Sequence, residues 1–121
     1  MASITIKGKN YPLRFDMYAM EQVEEEFGGI RAMFEAMTGN NGQSVAKTLR
    51  IMFRILANSA RNELDLPETV TGDEIRHCSV QKVTAAISEA VNEGMKSETT
   101  GGNEADDEVH DEYLDEIESK N

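Results

Sequence analysis

The spacing of apolar residues changes abruptly near residue 16, and the change separates predicted strands from predicted helices. Before that point apolar and polar residues alternate on either side of the turn sequence GKN. The apolar members are Ile4, Ile6, Tyr11, Leu13 and Phe15. An alternation of period two around a glycine-containing turn is typical of a β-hairpin with one apolar face. Pro12 has no backbone N–H, so we expect its strand to lie at an edge of the sheet.

From residue 16 onward, apolar residues recur every three or four positions, as on the buried face of an α-helix. Asp16 is placed to cap a first helix, which the pair Gly28 and Gly29 ends. A second short helix follows and stops in the sequence TGNNGQ. The predicted inward residues are Met17, Met20, Val23 and Phe27 in the first helix, and Ile30, Met33, Phe34 and Met37 in the second. Although methionine also lines adaptable binding surfaces, this helical spacing favours a place in the core.

A longer third helix begins at the capping residue Ser44, and its wide apolar face predicts a central position in the bundle. Its predicted inward residues are Val45, Leu49, Met52, Phe53, Leu56 and Ala60, with Ile51 and Ile55 on a flank. After a loop around Pro67, the sequence TGDE predicts a capping box from Thr71 to Glu74. Ser79 then starts a last helix, which turns inward Val80, Val83, Ile87, Val91 and Met95. The sequence thus predicts an α+β fold, an N-terminal β-hairpin followed by a small bundle of about four to five helices.

Charge is distributed unevenly and divides the chain into two parts. Of the formal net charge of −11, residues 1–96 account for −2, with 13 acidic and 11 basic side chains. Residues 97–121 account for −9, with ten acidic side chains and one lysine. Such a segment buries too little apolar surface to offset its ordering entropy. We therefore expect a folded domain at 1–96 and a flexible acidic tail at 97–121, which repels phosphates and argues against nucleic-acid binding.

Residue usage indicates a protein of a reducing compartment. The lone cysteine, Cys78, cannot form an internal disulfide. No apolar leader is recognisable, and no apolar run approaches the roughly 20 residues that a membrane span needs. We expect a soluble protein of a reducing compartment that does not associate with membranes.

We predict no catalytic, cofactor-binding or metal-binding residues. His77 precedes Cys78, but neighbouring residues on a helix point about 100° apart and no third residue is identifiable that would orient such a pair. A structural role for Cys78 is therefore favoured. The acidic run 106–108 lacks the glycine and the ligand spacing of a calcium loop. No glycine-rich phosphate loop occurs either.

Two groups of residues are candidate partner-binding sites. The first, the basic stripe, follows one side of the third helix at increments of three, four and seven: Lys47, Arg50, Arg54 and Arg61. The basic stripe is either a solvated helix face or a docking strip for carboxylates, from this chain's own tail or from a partner. The second group is apolar and lies among the carboxylates of the tail: Tyr113, Leu114 and Ile117. We expect that short segment to become helical only against a partner.

The segment ITIKGKNYPLRFDMYAMEQVEEEFGG, from Ile4 to Gly29, is similar to the start of the tail assembly chaperones of long-tailed, siphovirus-type bacteriophages and prophages. The resemblance is strongest over Ile4 to Met37, continues in the order of helices to Met95, and does not extend into the acidic tail. Asp16, Gly28 and Gly29 match the family pattern as caps and turns. The family has no well-defined set of functional residues, so the resemblance assigns no catalytic or ligand-binding residue to this chain.

The resemblance implies a non-enzymatic protein of the host bacterial cytoplasm that binds the phage tape measure protein. It also implies that the protein helps to recruit tail tube subunits. Members of that family are often made in a second, longer form by ribosomal frameshifting, and whether this chain has such a form or ends at an ordinary stop codon stays open. The final sequence SKN, residues 119–121, is compatible with a slippery heptamer at the end of the reading frame. Self-association and the stoichiometry with these partners stay open.

Two other functions stay open as well. A small acidic inhibitor or DNA mimic would spread carboxylates over a folded surface at the spacing of phosphates, whereas most of the negative charge here falls in the tail. A regulatory enzyme subunit or hydrolase that uses His77 and Cys78 would have a pocket around them and would be sensitive to thiol reagents.

Overall fold

A computed structural model describes residues 2–40, 42 and 44–96, and a hairpin followed by helices makes up this part of the chain. The elements in chain order are β1 (Ser3–Ile6), β2 (Lys9–Pro12), α1 (Met17–Phe27), α2 (Ile30–Thr38), α3 (Val45–Glu63) and α4 (Val80–Met95). One 3₁₀ turn, Asp73–Ile75, precedes α4. The predicted α+β fold is confirmed. The predicted acidic tail, 97–121, lies outside the described residues, so the division of the chain into two parts stays a prediction.

The hairpin is antiparallel and pairs Ile4 with Tyr11. Its turn is formed by Lys7 and Gly8, whose φ angles of 51° and 81° fit the two-residue turn that matches strand twist. The turn predicted at GKN, residues 8–10, therefore occurs one residue earlier, because Lys9 and Asn10 already belong to the second strand. The apolar face is confirmed: Ile4, Leu13 and Phe15 are buried, and Tyr11 meets the ring of Phe53 edge-on at 5.5 Å.

Helix ends follow the predicted caps. The Asp16 carboxylate accepts a hydrogen bond from the Ala19 N–H at 3.0 Å. Gly28, in the left-handed region at φ 92°, donates its N–H to the Glu24 carbonyl and ends α1. Ser44 and Ser79 cap α3 and α4 with their hydroxyl oxygens. These four sites depend on contacts within a single turn of chain, which is why the sequence predicts them.

Three residues predicted to face inward are exposed instead: Met17 at 74%, Phe34 at 43% and Val80 at 62%. Met17 and Val80 are the first residues of α1 and α4, where the helix extends past the edge of the core. Phe34 is exposed because the short helix α2 turns its two small or flexible neighbours, Met33 and Ala36, into the core. The apolar period is correct for these helices, but it does not show where no other element packs against a residue.

α3 is the central helix, as its wide apolar face predicts. It packs against α1, α2, α4 and β2. Except on the side of the basic stripe, its side chains are mostly buried, among them Met52, Phe53, Ile55 and Leu56. Cys78, with no disulfide partner, is half-buried at the edge of this core.

Three buried polar residues of α3 were not predicted, and each has a partner. Thr48 donates its hydroxyl to the Ser44 carbonyl within the helix. Asn58 both donates to the Val70 carbonyl at 2.8 Å and accepts from the Val70 N–H at 2.9 Å. Ser59 donates its hydroxyl to Asp16 at 2.6 Å. Among the described residues no buried side-chain polar atom lacks a hydrogen bond, so the polar positions fix the loop after α3 and the start of α1 onto the central helix.

α4 crosses the chain between β2 and α1 at very close range. A Cβ atom added to Gly94 would lie 2.0 Å from the Phe15 carbonyl oxygen. Only a residue without a side chain allows this approach. Nearby, the Ala2 N–H donates to the Glu93 carboxylate at 3.1 Å, which ties the first strand to the same end of α4.

Replacing Phe53 with alanine should lower the free energy of unfolding by about 3–5 kcal/mol, because it removes a fully buried ring from the centre of the core. Phe34→Ala is the matched control, since the same side chain is 43% exposed there. Urea denaturation of both variants measures the difference. Equal losses would contradict the placement of the core around α3.

Replacing Gly94 with alanine should destabilise the protein by about 1–3 kcal/mol, as overpacking does, although alanine is the better helix former. Asn92→Ala, at an exposed position of the same helix, should have no such cost. Thermal unfolding of the two variants compares them. A stabilised Gly94→Ala protein would show that α4 and Phe15 are not in close contact.

Candidate partner-binding surfaces

The basic stripe is largely occupied by contacts within the molecule. Arg50 pairs with Asp73 at 2.6 Å, and Arg54 pairs with Glu26 of α1 at 3.1 Å. The Arg61 guanidinium donates to the Pro67 carbonyl. Lys47 is exposed and has no side-chain partner among the described residues. The stripe therefore joins α3 to its neighbours and leaves one of its four cations directed to solvent.

These contacts are exposed and each contributes little stability, since surface ion pairs are typically worth about 0–1 kcal/mol. Arg50 and Asp73 keep 45% and 54% of their side-chain surface. Between Lys47, Arg50 and Arg54 lies only a shallow depression of about 120 Å³. Docking of carboxylates along the stripe would have to compete with three existing partners, so this role stays a prediction. Tyr113, Leu114 and Ile117 lie outside the described residues.

A second surface, which we call the methionine groove, lies where the end of the hairpin meets the start of α1 and the end of α4. Its volume is about 360 Å³, and its walls comprise Leu13, Arg14, Phe15, Asp16, Met17, Met20, Ala90, Glu93, Gly94, Met95 and Lys96. Three of the seven methionines of the chain line it. Met17 is mostly exposed, while Met20 and Met95 are half-buried against the core. The groove therefore offers solvent a flexible apolar surface.

Helical spacing predicts a core position for the methionines, and the structure confirms it for all the described ones except Met17. Met33 and Met52 are fully buried, and Met37 is half-buried with Met20 and Met95. Met17 is the exception among the described methionines. Since methionine is unbranched and polarisable, an exposed cluster of this kind adapts to apolar partners of different shape.

Asp16 forms the polar edge of the methionine groove, and its carboxylate receives three contacts, from Ser59, Ala19 and Arg14. Partial burial alone would raise the pKa of its carboxyl group. The hydrogen bonds from the Ser59 hydroxyl and the Ala19 N–H, together with Arg14 at 3.0 Å, outweigh burial and hold the pKa below the ordinary value of 3.8. Asp16 is therefore ionised at neutral pH and links the hairpin end, α1 and α3.

A third surface, which we call the cationic groove, lies between the hairpin turn, the 3₁₀ turn and the start of α4. It is open to solvent, with a volume of about 780 Å³, and is lined by Thr5, Ile6, Lys7, Lys9, Tyr11, Asp73, Glu74, Arg76, His77, Cys78, Ser79 and Lys82. His77 and Cys78 thus do lie on the wall of a groove. Among the described residues neither side chain has a hydrogen-bond partner, so no residue orients them for catalysis.

Within the described ranges no group of three or more histidine, cysteine or carboxylate side chains is placed to hold a metal ion. In the same part of the chain, no helix combines the length and apolar character of a membrane span.

The sequence predicted neither groove, because each is assembled from three separate parts of the chain. The nearest local signals are Met17, the apolar residue directly after the Asp16 cap, and the two lysines beside Gly8, Lys7 and Lys9. A period of three to four cannot distinguish an apolar residue that covers the core from one that ends a helix in solvent.

Comparisons with known proteins add no relative: no family model, curated protein or solved structure matches this chain.

Asp16→Asn should weaken the acid sensitivity of the fold. Because the pKa of Asp16 is lowered in the folded protein, its contribution to stability is present above pH 3.8 and is lost as the pH falls through the folded value. We expect the variant to lose about 1 kcal/mol at pH 7. Its free energy of unfolding should also vary less between about pH 4 and pH 2 than that of the parent.

Asp65→Asn is the control for that measurement, since Asp65 is exposed and its positive φ of 60° suits asparagine equally well. Denaturation with urea at a series of pH values gives both slopes. If Asp16→Asn and Asp65→Asn had the same pH dependence, the contacts of Asp16 would not stabilise its charged form.

Proposed function

We propose that this chain is a non-enzymatic tail assembly chaperone of a long-tailed bacteriophage or prophage, which binds the tape measure protein and helps recruit tail tube subunits in the host cytoplasm. Two lines support the proposal. One is the resemblance of the segment Ile4 to Gly29 to the start of that family. The other is the methionine groove, an apolar surface between that segment and the end of α4.

The methionine groove is the observation that carries the proposal. A chaperone for a long, aggregation-prone client needs a surface that accepts many apolar sequences, and methionine-rich surfaces do so because the side chain repacks easily. Met17 keeps 74% of its surface although it follows directly on the Asp16 cap. A residue whose apolar surface faces water at a well-ordered helix start is available to a partner at little conformational cost.

The size of the groove limits what enters it. A volume of about 360 Å³ holds a few side chains rather than a whole helix. The client would therefore insert a short apolar stretch, while its remaining residues pass over the surrounding polar rim of Arg14, Glu93 and Lys96. Weak contacts of this kind, repeated by several chaperone molecules along one client, would cover it and still permit release.

The large negative charge of the chain fits the same role. At −11, a coat of such molecules repels other coated clients and keeps the complex in solution. In this proposal the tail residues Tyr113, Leu114 and Ile117 add a second apolar contact to the client. A longer, frameshifted product would bring the tube subunit to the same complex.

A small acidic inhibitor that imitates DNA is the second candidate, and one observation favours it. Glu21, Glu24 and Glu25 are all exposed on the outer face of α1, so part of the negative charge does lie on the folded surface. Neutralising these three glutamates would abolish binding by a DNA mimic. A chaperone that uses the methionine groove would retain its client.

Met17→Glu should sharply reduce the soluble yield of tape measure protein when the two are co-expressed, because it places a charge in the methionine groove. Val80→Glu is a closely matched control. Both residues are exposed first residues of a capped helix, where an acidic residue is well tolerated. Met17 lies beside the C-terminal end of α4, whereas Val80 lies at its N-terminal end, outside the methionine groove.

The tape measure protein of the same phage or prophage genome is the client to test, and its soluble fraction is the measurement. Val80→Glu should keep that fraction at the level of the parent chain. Equal solubility with Met17→Glu and Val80→Glu would contradict a role for the methionine groove. No gain in solubility from the parent chain itself would contradict the proposed function.

A further inference from the structure

The cationic groove is a positively charged surface in the described part of a chain whose net charge is negative. Four of its lining residues are cationic, Lys7, Lys9, Arg76 and Lys82, and two are acidic, Asp73 and Glu74. Its formal charge is therefore +2, whereas residues 1–96 together carry −2. The rest of the folded surface is correspondingly negative, so the groove focuses the attraction for anions.

The two carboxylates of the cationic groove are already engaged. Asp73 is shared between Arg50 at 2.6 Å and Arg76 at 3.6 Å. Glu74 accepts backbone hydrogen bonds from Thr71 and Gly72. In the described part of the chain neither forms an ion pair with Lys7, Lys9 or Lys82.

The lysines themselves are held in place by the fold. Lys9 lies over the ring of Tyr11, 5.1 Å from its centre. Lys82 donates to the Thr5 carbonyl at 2.9 Å, which joins α4 to the first strand. Lys7 is exposed at the hairpin turn. No acidic residue occupies the first turn of α4, whose N-terminus adds a further positive partial charge beside the groove.

We propose that the cationic groove binds the acidic segment 104–118 of the same chain. That segment carries nine carboxylates and no lysine or arginine. Its charge is therefore complementary to the groove, and it is covalently attached to the groove's own molecule. The inference stands independently of the proposed chaperone function, because it uses only the charges of this chain and their arrangement.

The length of the chain permits this contact. The groove lies at the N-terminal end of α4 and the acidic segment follows its C-terminal end, about 24 Å away for a helix of 16 residues. The seven residues 97–103, when extended, span up to about 23–25 Å. Segment 104–118 therefore reaches the groove from its first residues onward. A tether of this length gives a local concentration in the millimolar range, so that even a weak contact between the segment and the groove is populated.

The basic stripe is a poorer site for the same segment. Two of its four cations, Arg50 and Arg54, form ion pairs with carboxylates at 2.6 and 3.1 Å. In the described part of the cationic groove only Arg76 does so, at 3.6 Å. The depression beside the stripe also has about one sixth of the cationic groove's volume, 120 against 780 Å³. Nucleic acid is also disfavoured, since a chain of net charge −11 repels a polyanion before it reaches the groove. Binding of the tethered segment would cover the groove and hold Tyr113, Leu114 and Ile117 near the folded domain until a partner displaces them.

The full chain with a spin label in the tail provides the test. Ser119→Cys in a Cys78→Ser background places a single nitroxide next to the acidic segment. At low salt, the backbone amide signals of Lys9, Arg76 and Lys82 should lose most of their intensity. They should recover in 1 M salt, where the Debye length is about 3 Å. Amides of α2 around Met33 should be unaffected under both conditions.

Charge variants then identify the groove as the cause. Lys7→Gln with Lys9→Gln should restore the Arg76 and Lys82 signals at low salt. Lys47→Glu changes the net charge by the same amount on the basic stripe and should leave the broadening as it is. The exposed positions of all three lysines keep the fold intact, and unchanged amide shifts in α3 verify it.

Three results would overturn the proposal. The first is the absence of broadening at Lys9, Arg76 and Lys82 in the isolated full chain, which is also the result expected if the groove serves nucleic acid or a partner's acidic segment. The second is broadening that persists in the double lysine variant. The third is broadening confined to the amides around Lys47 and Arg50, which would assign the segment to the basic stripe.

Discussion

The structure depends on the packing of α3 against α1, α2, α4, β2 and the 3₁₀ turn. Only the side of α3 that carries the basic stripe meets water, so the polar side chains on its buried sides need hydrogen-bond partners within the protein. Asn58 therefore fixes the loop at Val70, and Ser59 fixes the start of α1 through Asp16. One buried helix thus determines both where the chain packs and which irregular segments are ordered.

The position of Asp16 follows from this requirement and connects the fold to its surface. The same carboxylate caps α1, accepts from Ser59 and pairs with Arg14 at the end of the hairpin. Because these contacts fix the first turn of α1, they also fix the direction of Met17 at the methionine groove. A core constraint in α3 is in this way transmitted to an exposed residue.

The sequence predicts those features that depend on near neighbours. The strand pattern, the caps at Asp16, Ser44 and Ser79, and the central position of α3 all follow from short-range spacing and are seen in the structure. The exposure of Met17, Phe34 and Val80 depends on which elements end beside them, which spacing does not encode.

The candidate surfaces show the same limit more strongly. The basic stripe was recognised from the spacing of its four cations, but its partners Asp73 and Glu26 come from distant parts of the sequence. Both grooves combine the hairpin with α1 or the 3₁₀ turn and with one end of α4. Folding is what places Lys7 and Lys82 on one groove and Met17 and Met95 on the other.

The hairpin itself has a consequence for how the molecule behaves beside other chains. A two-stranded sheet has two outer edges, and an exposed edge is a template for adding foreign strands. Here each strand has only four residues, Pro12 removes a donor, and Arg14 turns its N–H to the Leu56 carbonyl of α3 immediately afterwards. The chain thus leaves the sheet after only a few residues. The exposed strand edges are therefore too short to pair stably with a strand of a neighbouring molecule.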